Sequence, residues 1–597
     1  MTSNYLEPDR EQAETSPTSF GSRTRIVNTK ASEEMGGGDS QEVDRQVKLE
    51  DYSFYGSTKF GICFLALCLN VMIFGLDQFI ITVAVPEIVT RFDSLDQVEW
   101  LNTAFFIPCA GCILIFSQIM TIASPRWTYL VSLAIFEAGT AICGAANSMF
   151  MLIIGRAIAG LGGAGMWNAT YLIGGEIIPF EKRPSLFGLF GISFIVASVM
   201  GPLVGGAFTD MGPMGWRWCF YFSASLTGIL LLLTLPSIPK LPSFDGKPDN
   251  RSVFVKLIRL DWISAIITLG FVTSLGVGLQ NGGIRYEWND TSVIVVSILR
   301  EFYHQGYLGL TDYGRRAGTW VAFLGKLSFA ISVIQLTFPI GYGVVVLYLY
   351  YLPLYFEAVK NDSATRAGVL LLALQLTMGP FLVFSGKLGE KTGQAKYPMI
   401  IGSCLLAISS GLFTMLKKDT SVAMVVGFMV IGGVGLGLVM NVMVVLVQAK
   451  YLKEPHLIPH VTNVFNFWGF VGRIVSMSVG TNIFNNKLRS SLYSLPNLSR
   501  GLVISITTGL KSIWTQVPDK DLTSVLEAYS SSLTKVFWLA LALSISCLIA
   551  TLLMENINLK NVAEDAKKVR EANLDSQQSY AMQAQGEGRQ KGDNNEA

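Results

Sequence analysis

Stretches of about 20 apolar residues recur along most of the chain, separated by short polar breaks, and each is long enough to cross a bilayer as a helix. The pattern predicts spans at about 60–83, 100–122 and 128–146, a glycine-rich pair between about 153 and 206, a sixth ending near 237 and a seventh at about 260–279. Further spans are expected at about 365–385, 397–416, 462–484 and 535–554, with another ending in the run from Tyr350 to Val359 and one passing through Gly433 and Asn441. Between them the pattern falters. The run from Ser292 to Leu299 holds only eight apolar-leaning residues, too few to cross as a helix. Either an eighth span is a stub near 288–305, or the segment from Thr319 to Gln335 serves and turns at Phe338-Pro339, or the gene structure of this stretch is misread.

Small residues mark two of the spans. Gly155, Ala159 and Gly163 share one face of the fourth, and Ala197, Gly201 and Gly205 one face of the fifth. Faces of this kind let helix backbones approach inside a bilayer, where lipid leaves no hydrophobic drive between helices. Arg156 lies within the fourth span, and an arginine at that depth marks a functional position that wants a carboxylate partner.

Composition agrees with a polytopic membrane protein. Of 597 residues, 51% are hydrophobic and only 15% charged, with mean hydropathy +0.45, against about 25% charged for ordinary globular domains. The net charge of +2 gives no reason to expect a nucleic-acid partner. All eight cysteines fall in apolar segments without metal-ligand spacing, so reduced packing residues are expected, with no metal and no cofactor. No phosphate-binding glycine loop occurs, and the three histidines, His304, His456 and His460, sit in or near predicted loops, which excludes direct ATP drive and a transmembrane histidine relay.

Arg156-x-x-x-Gly160-x-Gly162 resembles the helix-4 motif of the major facilitator superfamily, and Gly201-Pro202-x-x-Gly205-Gly206 resembles the helix-5 motif of its drug:proton antiporters. The first span is similar to the signature of the fourteen-span branch of that group at Leu76, Asp77, Ile80, Val83, Ala84 and Pro86, but carries Phe79 and Thr82 where the family has Thr and Asn. Glu137, Lys182-Arg183, Trp216-Arg217-Trp218 and the segment from Leu279 to Asp290 also match. The charged turn expected after the second span is lost: Thr121 stands for its acidic residue, and Arg126 is the only charged remnant. Gly386, Leu388, Glu390 and Gly393 loosely repeat that spacing in the second half, as an internal duplication predicts.

The resemblance implies an all-α major facilitator fold, two six-helix bundles plus two extra central helices, acting as a fungal toxin or multidrug efflux pump. The expected division is a disordered cytoplasmic tail over 1–57, a first bundle over 58–238, a linker with spans 7 and 8 over 239–326, a second bundle over 327–555 with a long outer loop at 488–533, and a tail over 556–597. With no early signal peptide, the first span is expected to direct insertion. Lys and Arg concentrate in the 4–5, 6–7, 10–11 and 12–13 loops, which places these in the cytoplasm. The sequons at Asn289, Asn361 and Asn497 then fall outside, although Asn250 carries one inside.

Asp77, Glu137 and Arg156 are the candidates for proton coupling. Gly160, Gly162, Gly201, Pro202, Gly205, Gly206 and Arg126 are expected to serve packing and gating, and Asn441, Gln448 and Arg473 to face a substrate cavity. The partners expected are the bilayer, protons and a small amphipathic organic substrate, for a monomer in the plasma membrane or the vacuolar membrane. A uniporter or importer, such as a siderophore carrier, and a transporter-like sensor or inactive relic remain alternative readings.

Overall fold

The computed structural model describes residues 57–92, 97–209, 211–212, 214–238, 255, 258, 260, 262–281, 329–452, 457–495, 498–500, 502–503, 506, 513–514, 516–562, 564–565 and 568. The N-terminal tail, most of the 6–7 linker, the eighth span, Asn250, Asn289, Asn497, His304, His456 and the chain beyond 568 lie outside the described residues.

Within them the chain is helical. The first bundle holds α1 (Thr58–Phe92), α2 (Val98–Ile122), α3 (Pro125–Gly144), α4 (Met149–Ile177), α5 (Arg183–Thr209) and α6 (Trp216–Ser237). After α7 (Trp262–Asn281), the second holds α8 (Phe329–Lys360), α9 (Ala364–Thr392), α10 (Lys396–Phe413), α11 (Val422–Met440), α12 (Val442–Lys450), α13 (Ile458–Tyr493) and α14 (Asp519–Leu553). The helices begin where a hydroxyl can cap them: Ser148, Ser363 and Ser421 accept from the backbone N–H three residues on, at 3.2, 3.2 and 3.3 Å. Gly393 ends α9 in the left-handed region at φ 74°, where a Cβ would also strike the Asn558 side chain. Its carbonyl accepts from Leu559 N at 2.8 Å, which pins the segment after α14 against this turn.

Eleven of the described helical segments are long and apolar enough to cross a membrane. α13 is long enough but too polar to count among them, because its Asn463, Asn466 and Asn482 are buried in the protein and not turned to lipid. The expectations differ from the structure at the second outer loop. α13 continues to Tyr493 and α14 already starts at Asp519, so the connection is shorter than 488–533. The early turns of α14 are helical because Val525, Ala528, Tyr529 and Ser532 recur three to four apart and are buried, with Tyr529 Oη donating to Ile506 O at 2.7 Å. The twelfth span runs over Val422–Lys450 as two adjoining helices that meet at Asn441, whose backbone stays helical at φ -73°, ψ -42°. All eight cysteines are unpaired.

The two bundles meet along two seams, α5 against α9 and α2 against α13. α7 lies on the second seam, where Asn482 of α13 donates to Leu279 O at 2.6 Å. The ends of the helices that carry Lys182, Arg183, Lys387, Lys391 and Lys450 form one basic end of the molecule.

Candidate functional site

Asp77 of α1 and Arg156 of α4 meet inside the first bundle. Arg156 Nη1 lies 2.6 Å from Asp77 Oδ2, with the side chains 0% and 1% exposed. Arg156 Nε donates to Leu101 O at 3.0 Å, its guanidinium covers the Phe105 ring at 4.5 Å, and Nη2 has no hydrogen-bond partner. Gln78 Nε2 donates to the same Asp77 oxygen at 3.2 Å. The glycine motifs make this closeness possible. A Cβ on Gly160 would overlap the carbonyl of Phe105, and one on Gly162 the backbone of Phe136, so α4 can lie between α2 and α3 only without them. On the far side of α1, Gly201 and Gly205 of α5 pack on Phe79 and Ile80, a Cβ at Gly201 falling 2.5 Å from Phe79 Cβ. Pro202 and Gly206 are half-buried on the same helix, where Gly206 O accepts from Thr209 Oγ1 at 2.9 Å.

Glu137 is not part of this pair. It is half-buried on the flank of α3, with Oε2 enclosed and unbonded and no ion-pair partner among the described residues. Arg126 donates through Nη2 to Leu235 O and so ties the start of α3 to the end of α6 within one bundle.

At the basic end, hydrogen bonds tie the bundles together. Asn441 Nδ2 donates to Pro184 O at 2.6 Å and to Leu382 O at 2.9 Å. Arg183 Nη1 donates to Gln448 Oε1 at 3.3 Å, and Gln448 Nε2 to Thr462 Oγ1 at 3.3 Å. Ser117 Oγ lies 3.1 Å from His460 Nδ1. Lys182 pairs with Glu390, whose other oxygen accepts from Ser185 Oγ at 2.7 Å. The acidic residue absent after α2 is thus present in the matching position of the second bundle, reaching across the seam. Lys182 is half exposed, so the ion pair is worth about 0.2–1 kcal/mol. Glu390→Gln is expected to shift the balance between open and closed basic ends by no more than about fivefold, read as labelling of Ser185→Cys by an impermeant thiol reagent. A change of a hundredfold would mean the pair does more than latch.

Between the bundles lies a cavity of about 100 Å³. Trp167, Tyr171, Phe187, Phe190 and Phe194 wall it from the first bundle. Phe338, Tyr342 and Phe465 close it from the second, with Gln375, Asn441 and Asn466 between them. No Asp, Glu, Lys, Arg or His is among the described residues that line it. Of the three residues predicted to face a cavity, Asn441 does, with its amide nitrogen already bonded to two carbonyls. Gln448 belongs to the seam. Arg473 lies one turn beyond Phe470, its guanidinium 4.2 Å from the Phe106 ring centroid, outside the cavity lining. Gln375 and Asn466 were not anticipated. Gln375 is a lone amide in an apolar span, and Asn466 is one of several amides on α13, where the charged Arg473 outweighed it.

Two helical bundles with a buried ion pair in one and a cavity between them define a polytopic membrane carrier. The pattern of the Major Facilitator Superfamily matches residues 67–477, and the chain belongs to that family. It is a transporter, not an enzyme. It is 32% identical over 511 residues to the MFS-type transporter astH of Aspergillus oryzae, covering 84% of this chain and 88% of that one. It is 31% identical over 499 residues to the MFS-type efflux pump MFS1 of Arthroderma benhamiae, covering 83% and 91%. The proton:xylose symporter XylE shares its fold, with a TM-score of 0.51 at 16% identity, covering 79% of this chain and 98% of that structure.

Proposed function

We propose that this carrier exports amphipathic organic compounds in exchange for protons, by alternating access to the cavity between its bundles. The observation that carries the reading is the enclosed Asp77–Arg156 pair, a carboxylate held beside a fixed cation at membrane depth. Protonating Asp77 removes half of that pair. The helix that would transmit the change is α5. Its Gly201 and Gly205 grip α1 two to three residues beyond Asp77, while its other end, at Pro184 and Gly188, forms the seam with α9. One rigid element therefore touches both the charge pair and the closed basic end, and a two-state seam biased by both is what coupling requires.

The drive is sufficient in principle. Moving one charge through 100 mV supplies about 2.3 kcal/mol before any pH difference is added. The apolar wall suits amphipathic compounds, and the efflux pumps among the relatives favour export as the direction. Glu137, with one carboxylate oxygen enclosed and unbonded, is the second proton-carrying candidate. We take the protein to be a monomer of the plasma membrane, with Asn361, exposed in the turn between α8 and α9, as a glycan acceptor on the outer side.

The test is accumulation of a lipophilic toxin panel in a pump-deficient host expressing the full chain, with and without an uncoupler. Lower accumulation that the uncoupler reverses is expected. Lower accumulation indifferent to the uncoupler would remove the proton from the mechanism, and uptake in place of loss would reverse its direction.

A further inference from the structure

The cavity combines three features that together specify a ligand. Its described lining carries no ionisable acid or base other than tyrosine, so a charged group held there would meet no counter-ion in the wall itself. Its wall from the first bundle is mainly aromatic, with Trp167 and Phe194 rings edge to face at 6.4 Å and Phe187 and Phe190 stacked at 5.4 Å. Its wall from the second bundle contributes two amides that are buried yet incompletely bonded. Asn466 of α13 is 3% exposed and its Nδ2 has no partner, and Gln375 of α9 is 5% exposed and its Oε1 has none.

Buried polar atoms in native proteins are nearly always bonded, and an unbonded one at a functional site calls for an explanation. Ser198, by contrast, is spent on the carbonyl of Ile195, and the Asn441 amide on Pro184 and Leu382. Asn466 and Gln375 are the two lining amides that keep a buried atom without a partner. Asn466 offers a donor and Gln375 an acceptor, on two different helices of the same bundle. Aromatic faces opposite them favour a flat ring system, which stacks offset or meets edges without needing polar contacts of its own.

We infer that the substrate is an uncharged, planar aromatic compound bearing both a hydroxyl and a carbonyl oxygen, stacked on the first bundle and hydrogen-bonded by Gln375 and Asn466 of the second. The inference rests on the cavity being the transport site, as proposed above. Gln375 and Asn466 thereby determine specificity, and Arg473, outside the lining, does not read the substrate.

Equilibrium binding to the purified full-length protein in lipid nanodiscs tests this with three probes on closely related tricyclic skeletons. They are 2-(hydroxymethyl)anthraquinone, anthraquinone-2-sulfonate and 2-methylanthracene. The first is expected to bind best, with the sulfonate weaker by about 100-fold and the hydrocarbon by about tenfold. Gln375→Leu and Asn466→Leu, which keep the side-chain bulk, are expected to weaken the first probe by about tenfold each while leaving 2-methylanthracene unchanged. Binding needs no proton gradient, so its outcome is separate from that of the uncoupler test. Sulfonate binding as tight as the neutral probe would overturn the inference, as would failure of all three to bind. Equal loss of both neutral probes in the leucine variants would also overturn it, by showing the amides to be packing residues only.

Discussion

Asp77→Asn is expected to abolish uncoupler-sensitive export altogether while the protein still reaches the membrane in reduced amount. The substitution keeps the shape and an oxygen for Gln78 and Arg156 to meet, but it cannot exchange a proton and leaves the Arg156 charge uncompensated. Removing one member of a buried pair costs about 3–5 kcal/mol in soluble proteins, which accounts for the reduced amount. Arg156→Gln should destabilise the bundle by the complementary route, leaving the Asp77 carboxylate unpaired. The informative protein is the double variant Asp77→Asn, Arg156→Gln. Replacing both charges together is often close to neutral for stability, so expression should recover. Export should not recover, because the proton site is gone. Recovery of both in the double variant would make the pair structural and would move the coupling to Glu137, whose Oε2 is enclosed and unbonded. The measurement is toxin accumulation in cells beside surface abundance of each variant, with both normalised to the unmodified chain.

Much of this architecture was legible in the sequence because a bilayer imposes length and polarity on every span. Apolar windows located the spans of both bundles, and the small-residue faces of α4 and α5 announced where backbones touch: Gly160, Gly162, Gly201 and Gly205 all sit at such contacts. The Asp77–Arg156 encounter was readable for the same reason, since a lone arginine at membrane depth needs an anion and few are present. What pattern could not give is which polar residues face the cavity. α13 carries Asn463, Asn466, Arg473 and Asn482, and periodicity alone does not say which of them lies at the gap between bundles and which against a neighbouring helix. That depends on where α2, α7 and α8 pack around it. Asn441 is similar: its place in a span and toward a cavity was predicted, but not that its amide would bond a carbonyl 257 residues away in the other bundle. The loss of the acidic residue at Thr121 looked like the loss of a gate. Glu390 reaches Lys182 and Ser185 from the corresponding loop of the second bundle, so an acidic contact is present at this end of the seam.

The seam itself offers the second large effect. Gly386 of α9 lies directly beneath Pro184, and a Cβ there would overlap the Pro184 carbonyl and come within 2.9 Å of Ser185 Cα. Both obstacles are backbone of the other bundle, so neither can rotate aside. The three nearest atoms all belong to the other bundle, so Gly386→Val conflicts first with the closed basic end, and opening the seam relieves that conflict. Overpacking of this kind costs about 1–3 kcal/mol, which shifts the equilibrium toward the open basic end by about five- to hundred-and-fifty-fold. Export should fall by a comparable factor while abundance stays near that of the unmodified chain. Labelling of Ser185→Cys by an impermeant thiol reagent, from the side of the membrane that the basic end faces, should rise in the same variant. Gly433→Val supplies the contrast. Its side chain would meet the Leu374 carbonyl and Thr377 Oγ1 within the second bundle, in either state, and should lower abundance without favouring one conformation. If Gly386→Val instead lost abundance as Gly433→Val does, the seam would be a fixed interface and alternating access could not run through α5 and α9. Normal abundance with raised labelling and lost export would identify this contact as one that must open and close in every cycle, because a ligand or proton can only move an equilibrium between states that both exist.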